Sequence, residues 1–449
     1  MSETAKASIV AVACLLVPLQ MASQTWDDHD RSGRYTCRDF GQNYLYSIQQ
    51  EKNPIIFTNG DNDTYPLWYN QETEGVRTDV RVCNLSYLQT DWYIDQLRRP
   101  AYESPVVPIE WNRYEYITGQ NEAISIQPEM KAQLLELYAT NHAAAVEAFG
   151  ENPFELKNIL KYWVRSTDPN MHFIPTDTIV VTVDKEAVKR SGMLITDSIP
   201  DQLIIDLSKR RALYKNNLMM LEMLANCNWE RPLYFAVTVG RESYLGLQNN
   251  FIQEGLAFRI SPFNTMRTGN YIDTEKMYDN LMNKFKFGGV NNPDIYLDET
   301  VYRMCLTHRR MFSILAQDLI LKGDKERALK VLEKIDKEIP GNVVSYADNL
   351  GGSTELANSW LACGKTQKAV DILHTVARSS EQYLNWYINY SPDKLAANGR
   401  ECASHIGDMI DAGRTLEKAK DKDAQKIMER AANYYSLLQS KGINIQLGN

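Results

Sequence analysis

The feature that most constrains the fold is the stretch from residue 54 to 85, PIIFTNGDNDTYPLWYNQETEGVRTDVRVCNL. The apolar run at 55–57 predicts a short buried strand, and an acidic turn follows at 59–64. Pro66 is suited to the first position of a helix and Gly75 to its C-terminal cap. A second strand follows the helix. The stretch therefore predicts a strand–helix–strand unit of the kind found in layered α/β domains.

Ligands of open α/β sheets bind outside the carboxyl ends of the strands, which is where the acidic turn lies. Carboxylates beside aromatic faces suit a polyhydroxylated or a cationic ligand. Asp61 and Asp63 could also hold a divalent cation through hard oxygen ligands. The alternative is that Asp63 or Thr64 only caps the helix that follows. The predicted pocket residues are Asn59, Asp61, Asp63, Tyr65 and Trp68.

Strand-like segments alternate with helical ones up to about residue 265, which predicts a layered α/β domain. The β-branched run 177–183 and the apolar run 232–239 are the clearest strands after the first unit. Residues 114–117 are a possible edge strand, and residues 212–226 are predicted to form a helix. Thr238, Gly240 and Arg241, at the far end of the run 232–239, could share a ligand cleft with the acidic turn. The alternative is that this region is only a connection between a helix and a strand.

Helical periodicity dominates from about residue 298 onward. Gly323 and Gly364 each lie between two helical segments, and Ala328 and Ala369 follow them at the same offset, as in tetratricopeptide repeats. The predicted fold is an α/β layered domain followed by an all-α tetratricopeptide-like helical repeat domain. The predicted divisions are a membrane segment at 1–26, an α/β domain at 27–265, a linker at 266–297 and a helical domain at 298–449.

Composition excludes several classes of protein. The net charge of -8 and the absence of a basic stripe argue against a nucleic-acid partner. The seven cysteines are scattered and form no CxxC pair, which argues against a disulfide framework or a zinc site.

The segment 7–22, ASIVAVACLLVPLQMA, is apolar and uncharged. It could be a short transmembrane helix, a secretory signal peptide or a buried core helix. In the first two cases the rest of the chain lies outside the cytoplasm, because the positive residue before the segment stays inside.

The string WDDHDRSGR follows this segment directly. Its acidic residues and histidine could contribute metal ligands, and its arginines could contact lipid phosphate. The alternative is a solvated loop next to the membrane. The candidate residues are Asp27, Asp28, His29, Asp30 and Arg34.

The chain closely resembles a family of Bacteroidetes-type multi-spanning membrane proteins. The resemblance runs from about residue 20 to 375 and is carried by the strings WDDHDRSGRY, FTNGDNDTYPLWYNQETEGVRTDVRVCNLSYLQTDWYIDQLRRPAY, NNLMMLEMLANCNWERPLYFAVTVG and YLGLQNNFIQEGLAFRI. The family resembles eukaryotic transmembrane protein O-mannosyltransferases. It shares with them a glycine-aspartate turn and a Gly-x-Arg-x-Asp motif, here Gly75, Arg77 and Asp79.

Such proteins are similar to glycosyltransferases that use lipid-linked sugars, in which the catalytic acid lies in an early loop among the membrane helices. The single apolar segment here resembles the last of those helices. The resemblance therefore implies a periplasmic portion attached to the inner membrane, whose partners are an acceptor protein or a lipid-linked sugar. Asp61 and Asp63 are not equated with the catalytic acid. We expect no cofactor, with a divalent cation at the acidic turn as the alternative.

The function expected on this basis is that of an accessory, acceptor-docking part of a membrane protein O-glycosyltransferase that is not catalytic alone. The candidates at 27–34 would face the membrane site, and those at 59–68 would line a periplasmic pocket. Two alternatives stay open. The first is a stand-alone, metal-assisted sugar or phosphate hydrolase or transferase centred on the acidic turn, and the second is a tetratricopeptide scaffold for an envelope assembly.

Overall fold

The computed structural model of the protein describes residues 2–443, apart from the side chains of Asp27 and Asp28. The chain divides into two compact units, Phe40–Lys286 and Met1–Asp39 with Phe287–Asn449. The first is an α/β unit, and the second consists of helices and their connecting loops, with no strand among its described residues.

The α/β unit contains short strands and mostly short helices. Its strands are β1 Ile55–Thr58, β2 Arg81–Asn84, β3 Ala123–Ser125, β4 Thr178–Thr182, β5 Gln202–Asp206, β6 Ala212–Tyr214, β7 Leu233–Ala236, β8 Phe251–Gln253 and β9 Ala257–Ile260. Its helices are α2 Thr36–Ser47 (which begins before Phe40), α3 Asp61–Glu72, α4 Asp91–Leu97, α5 Arg113–Tyr116, α6 Met130–Thr140, α7 His142–Phe149, α8 Leu156–Asn158, α9 Lys185–Arg190, α10 Lys215–Asn226, α11 Thr265–Thr268 and α12 Thr274–Asp279.

A five-stranded sheet with the order β2-β1-β7-β9-β8 forms the centre of this unit. Strand β1 pairs in parallel with both β2 and β7, so the carboxyl ends of these three strands lie at one edge. Strands β9 and β8 continue the sheet in antiparallel pairing. Every residue of β1, β2 and β7 is buried, which explains the nearly continuous apolar sequences of β1 and β7. The predicted α/β character of this region is therefore confirmed.

Several local predictions were wrong. Residues 113–116 form a helix rather than an edge strand, because Asn112 and Glu115 make a capping box at its start. The predicted helix at 212–226 begins only at Lys215, since the three preceding residues form β6 and pair with β3. The strand predicted within 177–183, in contrast, is confirmed as β4, which pairs with β5 in a separate sheet.

The helical unit contains two helical hairpins and further helices. Gly323 and Gly364 lie in the turns of the hairpins with φ values of 83° and 80°, a region that favours glycine. Ala328 and Ala369 are fully buried. The turns between helices thus lie at Gly323 and Gly364, as the sequence predicts. The assignment to the tetratricopeptide class stays a prediction. The bounds are α13 Glu299–Leu321, α14 Lys325–Glu338, α15 Ser353–Ala362, α16 Thr366–Tyr387, α17 Pro392–Ala397, α18 Gly399–Lys418 and α19 Ala424–Ser440.

The apolar N-terminal segment lies in helix α1, Glu3–His29. The stretch Glu3–Trp26 has a mean hydropathy of 1.8 and none of it is buried. It is long and apolar enough to cross a membrane, and a signal sequence would have the same properties. Because the helix is exposed along its length, it does not have the character of a buried core helix.

Candidate functional site

The acidic turn lies inside the start of α3 rather than before it. Helix α3 begins at Asp61, so Pro66 is in its second turn, and the prediction that Pro66 begins the helix was wrong. Gly60 precedes the first turn with a φ of 95°, and no side chain caps this end. The capping role considered for Asp63 and Thr64 is therefore not what they do. Instead, carboxylates in the first turn interact favourably with the partial positive charge at the N-terminal end of the helix dipole.

Asp63 points into the protein and links the ends of two strands. Its side chain is only 3% exposed, and its Oδ2 atom accepts hydrogen bonds from the Asn59 N–H at 3.1 Å and the Thr238 hydroxyl at 2.8 Å. Burial raises the pKa of the Asp63 carboxyl. Its Oδ1 atom is buried without a hydrogen-bond partner among the described residues. Thr238 therefore contacts the acidic turn beneath the surface, and the ligand cleft considered for Thr238, Gly240 and Arg241 stays a prediction.

A second set of hydrogen bonds fixes the loop after β2 against the turn. The Asn84 side-chain amide donates to the Thr64 hydroxyl at 2.9 Å, and its oxygen accepts from the N–H groups of Ser86 and Tyr87. The Ser86 hydroxyl donates to the Asn59 side-chain oxygen at 2.8 Å. These contacts use the polar groups of Asn59 and place Tyr87 beside α3.

An open cavity of about 640 Å³ lies between α3, α4 and the edge strand β2. Ligand cavities commonly span roughly 300–1,000 Å³. Tyr65 and Trp68 stack with ring centroids 5.8 Å apart, and Trp68 and Tyr87 are nearly parallel at 6.2 Å. The Tyr65 hydroxyl shares a 2.9 Å hydrogen bond with that of Tyr87, which raises the pKa of Tyr65 to about 12. The aromatic residues that line the cavity are Tyr65, Trp68, Tyr87, Trp92, Tyr93 and Tyr102.

The structure thus brings together only part of the predicted pocket. Tyr65 and Trp68 line the aromatic cavity, whereas Asn59, Asp61 and Asp63 are not among its lining residues. Asp61 is exposed and interacts with the Tyr65 side chain near the cavity. The sequence reasoning missed Tyr87, Trp92, Tyr93 and Tyr102. A signal for the first three was present in YLQTDWY, directly after β2, since loops at the ends of parallel strands converge.

Arg77 and Asp79 of the Gly-x-Arg-x-Asp motif have a structural role. The Arg77 guanidinium pairs with both carboxylate oxygens of Asp79, at 2.7 and 2.9 Å. It also donates to three carbonyl oxygens at the end of α2, those of Leu45, Ile48 and Gln49, each at 2.8 Å. The motif therefore fastens α2 to the segment that leads into β2.

The candidates next to the apolar helix are occupied by local contacts where they are described. His29 Nδ1 lies 2.9 Å from the Thr25 carbonyl oxygen, and Asp30 Oδ1 accepts from the Ser32 N–H at 2.8 Å. Arg34 forms a 2.7 Å ion pair with Asp298. The side chains of Asp27 and Asp28 lie outside the described residues. Local bonding of this kind resembles the solvated-loop alternative more than a metal site.

Within residues 2–443, the group of side chains spaced to hold a metal ion is His374, Asp421 and Asp423, in the helical unit. The His374 Nε2 atom lies 3.3 Å from an Asp421 oxygen. Among the same residues, the acidic turn forms no group of three carboxylate, histidine or cysteine ligands around Asp61 and Asp63.

The α/β unit that holds the aromatic cavity matches a family associated with glycosyltransferases. The family model described as TMEM260-associated domain 2 matches residues 37–277, more than half of the chain, and the protein belongs to this family. TMEM260 is a protein O-mannosyltransferase. No curated protein and no solved structure matches the chain.

Proposed function

We propose that this chain is the accessory, acceptor-docking part of a membrane protein O-glycosyltransferase and does not transfer sugar by itself. The observation that carries the proposal is the aromatic cavity, which lies within the residues matched by the family model. Several of its aromatic side chains are exposed to solvent, and exposed apolar patches commonly mark interaction sites.

The absence of a reachable acid–base pair supports a docking role. General acid–base catalysis requires a titratable group within hydrogen-bond reach of the substrate. Asp63 is buried, and the carboxylate of Glu72, at the cavity, accepts a hydrogen bond from the Tyr102 hydroxyl. No histidine lines the cavity. The stand-alone, metal-assisted hydrolase therefore has less support, and the presence of a formed cavity favours docking over a pure scaffold.

The partners we propose are an acceptor protein and a lipid-linked sugar at the inner membrane. Helix α1 would hold the chain at that membrane, with the α/β unit on the periplasmic side. This placement follows from the apolar helix and from the resemblance of the chain to membrane glycosyltransferases.

A complementation experiment tests the proposal. Deleting the full-length gene should remove a set of O-glycans from exported proteins, and the wild-type gene should restore them. The Trp68→Ala variant should restore less glycosylation at equal protein abundance, since it removes the centre of the aromatic stack. Tyr114→Ala is the matched control, because Tyr114 is 65% exposed in the same unit and does not line the cavity. Unchanged glycosylation after gene deletion would overturn the proposal.

A further inference from the structure

We infer that the aromatic cavity binds a neutral pyranose ring, so that this part of the chain recognises sugar rather than peptide. The source of the sugar, a protein-attached glycan or a lipid-linked donor, rests on the proposed function. The inference that the cavity binds a sugar does not rest on the proposed function, because it follows from the side chains that form the cavity.

The first argument is the shape and character of the cavity wall. The Trp68 ring is stacked with those of Tyr65 and Tyr87, and Trp92 packs edge-on against Tyr93 with ring centroids 5.5 Å apart. The face of an aromatic ring carries partial negative charge. The C–H bonds on one face of a pyranose are polarised by the neighbouring oxygens and are attracted to such a surface. Flat aromatic walls thus suit the apolar face of a sugar.

The second argument is the set of unoccupied polar groups around these rings. The indole N–H groups of Trp68 and Trp92 have no hydrogen-bond partner in the described part of the chain. The same holds for the side-chain amide of Gln96, which also lines the cavity. An indole offers a donor, and an amide offers both donors and an acceptor. Sugar hydroxyls can satisfy all of them while the ring stacks on the aromatic surface.

The third argument is the charge of the cavity, which favours a neutral ligand. Arg81 is buried, and its guanidinium donates to backbone carbonyl oxygens of residues 97–105. The cavity lining holds the cationic side chains of Arg81 and Arg99 as well as Glu72, so it has no excess of negative charge to attract a quaternary ammonium ion. Arg99 is exposed at the rim and could meet a phosphate attached to the sugar.

The fourth argument excludes an extended peptide paired with the edge strand. The hydroxyl of Tyr93 donates to the Val82 carbonyl oxygen at 3.2 Å and accepts from the Asn84 N–H at 3.0 Å. The Gln71 amide donates to the Val80 carbonyl oxygen at 2.7 Å. These side chains occupy backbone groups that an added strand would need. A ligand in the cavity must therefore be recognised through side chains.

Binding by the full chain can be measured from changes in tryptophan fluorescence and by calorimetry. The probes are methyl glycosides of common hexoses, an O-mannosyl peptide, the same peptide without sugar, mannose 1-phosphate and choline. We expect saturable binding of at least one glycoside. Trp68→Ala and Trp92→Ala should each weaken it about tenfold, the loss of one aromatic contact. Tyr114→Ala should bind as the wild type does. Trp92 is 53% exposed, so its replacement leaves the core unchanged.

The probes distinguish the two sources of the sugar and test the alternative ligands. Tighter binding of the mannosyl peptide than of either component indicates a protein-attached glycan, and preference for mannose 1-phosphate indicates a lipid-linked donor. Binding of choline but no glycoside, equal binding of both peptides, or full affinity in both tryptophan variants would overturn the inference. If no glycoside binds while gene deletion still abolishes glycosylation, the proposed function stands and the sugar-binding inference fails.

Discussion

Asp63 shows how burial decides what an acidic residue can do. The sequence DND suggests surface carboxylates, yet Asp63 holds the Asn59 N–H and the Thr238 hydroxyl in the interior while Asp61 stays exposed. A helix turns by about 100° per residue, so side chains two positions apart face different directions. Asp63 therefore has a structural role in the interior, whereas Asp61 lies at the surface.

Replacing Asp63 with asparagine should make stability less dependent on pH. The folded pKa of Asp63 is raised above its ordinary value of 3.8, so the carboxyl favours folding below that value and this contribution is lost as the pH rises through the folded pKa. The Asp63→Asn variant should therefore gain free energy of unfolding relative to the wild type across that window. Urea denaturation from about pH 4 to about pH 8 measures the difference.

Asp61→Asn is the matched control, because Asp61 lies two residues earlier in the same helical turn and is exposed. It should show no comparable gain. Asp63→Ala should cost about 1–3 kcal/mol at any pH, since it leaves the Asn59 N–H and the Thr238 hydroxyl unpaired. A difference between Asp63→Asn and the wild type that is constant with pH would contradict the inferred burial of charge.

At the scale of elements, helices α2 and α3 approach each other closely at one glycine. A Cβ atom on Gly41 would lie 2.5 Å from the Pro66 carbonyl oxygen and 2.6 Å from the Asn70 amide nitrogen. The position of Pro66 inside α3, rather than at its start, creates this contact. The close approach places α3, and with it Tyr65 and Trp68, against the sheet.

Gly41→Ala should destabilise the α/β unit by about 1–3 kcal/mol, because overpacking forces the two helices apart. Gly407→Ala is the control, since a Cβ there meets no atom within 4 Å in helix α18. That change should be neutral or stabilise by about 0.5–1 kcal/mol, as alanine favours a helix interior. Calorimetric melting of both variants tests the pair, and an equal effect of the two would contradict the close approach.

Arg77 is the main link between α2 and the segment before β2. Arg77→Lys would keep the charge but lose the planar fork that reaches Asp79 and three carbonyl oxygens together. We expect a loss of at least about 1–3 kcal/mol in the free energy of unfolding, from the groups left without partners.

The control is Arg113→Lys. Arg113 pairs with Asp95 at 3.0 Å but is 61% exposed, so the change should cost less than about 1 kcal/mol. Chemical denaturation of both variants gives the comparison. If Arg77→Lys is as mild as Arg113→Lys, the linking role is wrong.

At the scale of the whole molecule, local patterns were sufficient for some features and not for others. The runs at 55–57 and 232–239 gave buried parallel strands, because full burial leaves an apolar sequence. The pairing of β9 with β7 in antiparallel fashion depends on long-range contacts that a local pattern does not encode. Similarly, Tyr65 and Trp68 were predicted as pocket residues, whereas Tyr102 joins them only because the chain folds back across β2.

Removal of residues 3–26 should release the chain from membranes. The stretch has a mean hydropathy of 1.8 and is wholly exposed, so we expect the full chain to sediment with lipid vesicles and the shortened chain to stay in the supernatant. Mass spectrometry of the protein recovered from cells separates an anchor from a signal. A mature N-terminus after residue 22 would contradict the anchor and support cleavage.

Tyr93 bears on whether copies of the chain can associate through strand β2. Strand β2 is one of the two outer strands of the five-stranded sheet, and exposed outer strands are templates for self-association. A single phenol covers two of its backbone groups, where many domains use a charged residue or a covering helix. The chain thereby keeps an open cavity beside β2 without leaving these two backbone groups free to pair with a strand of another copy.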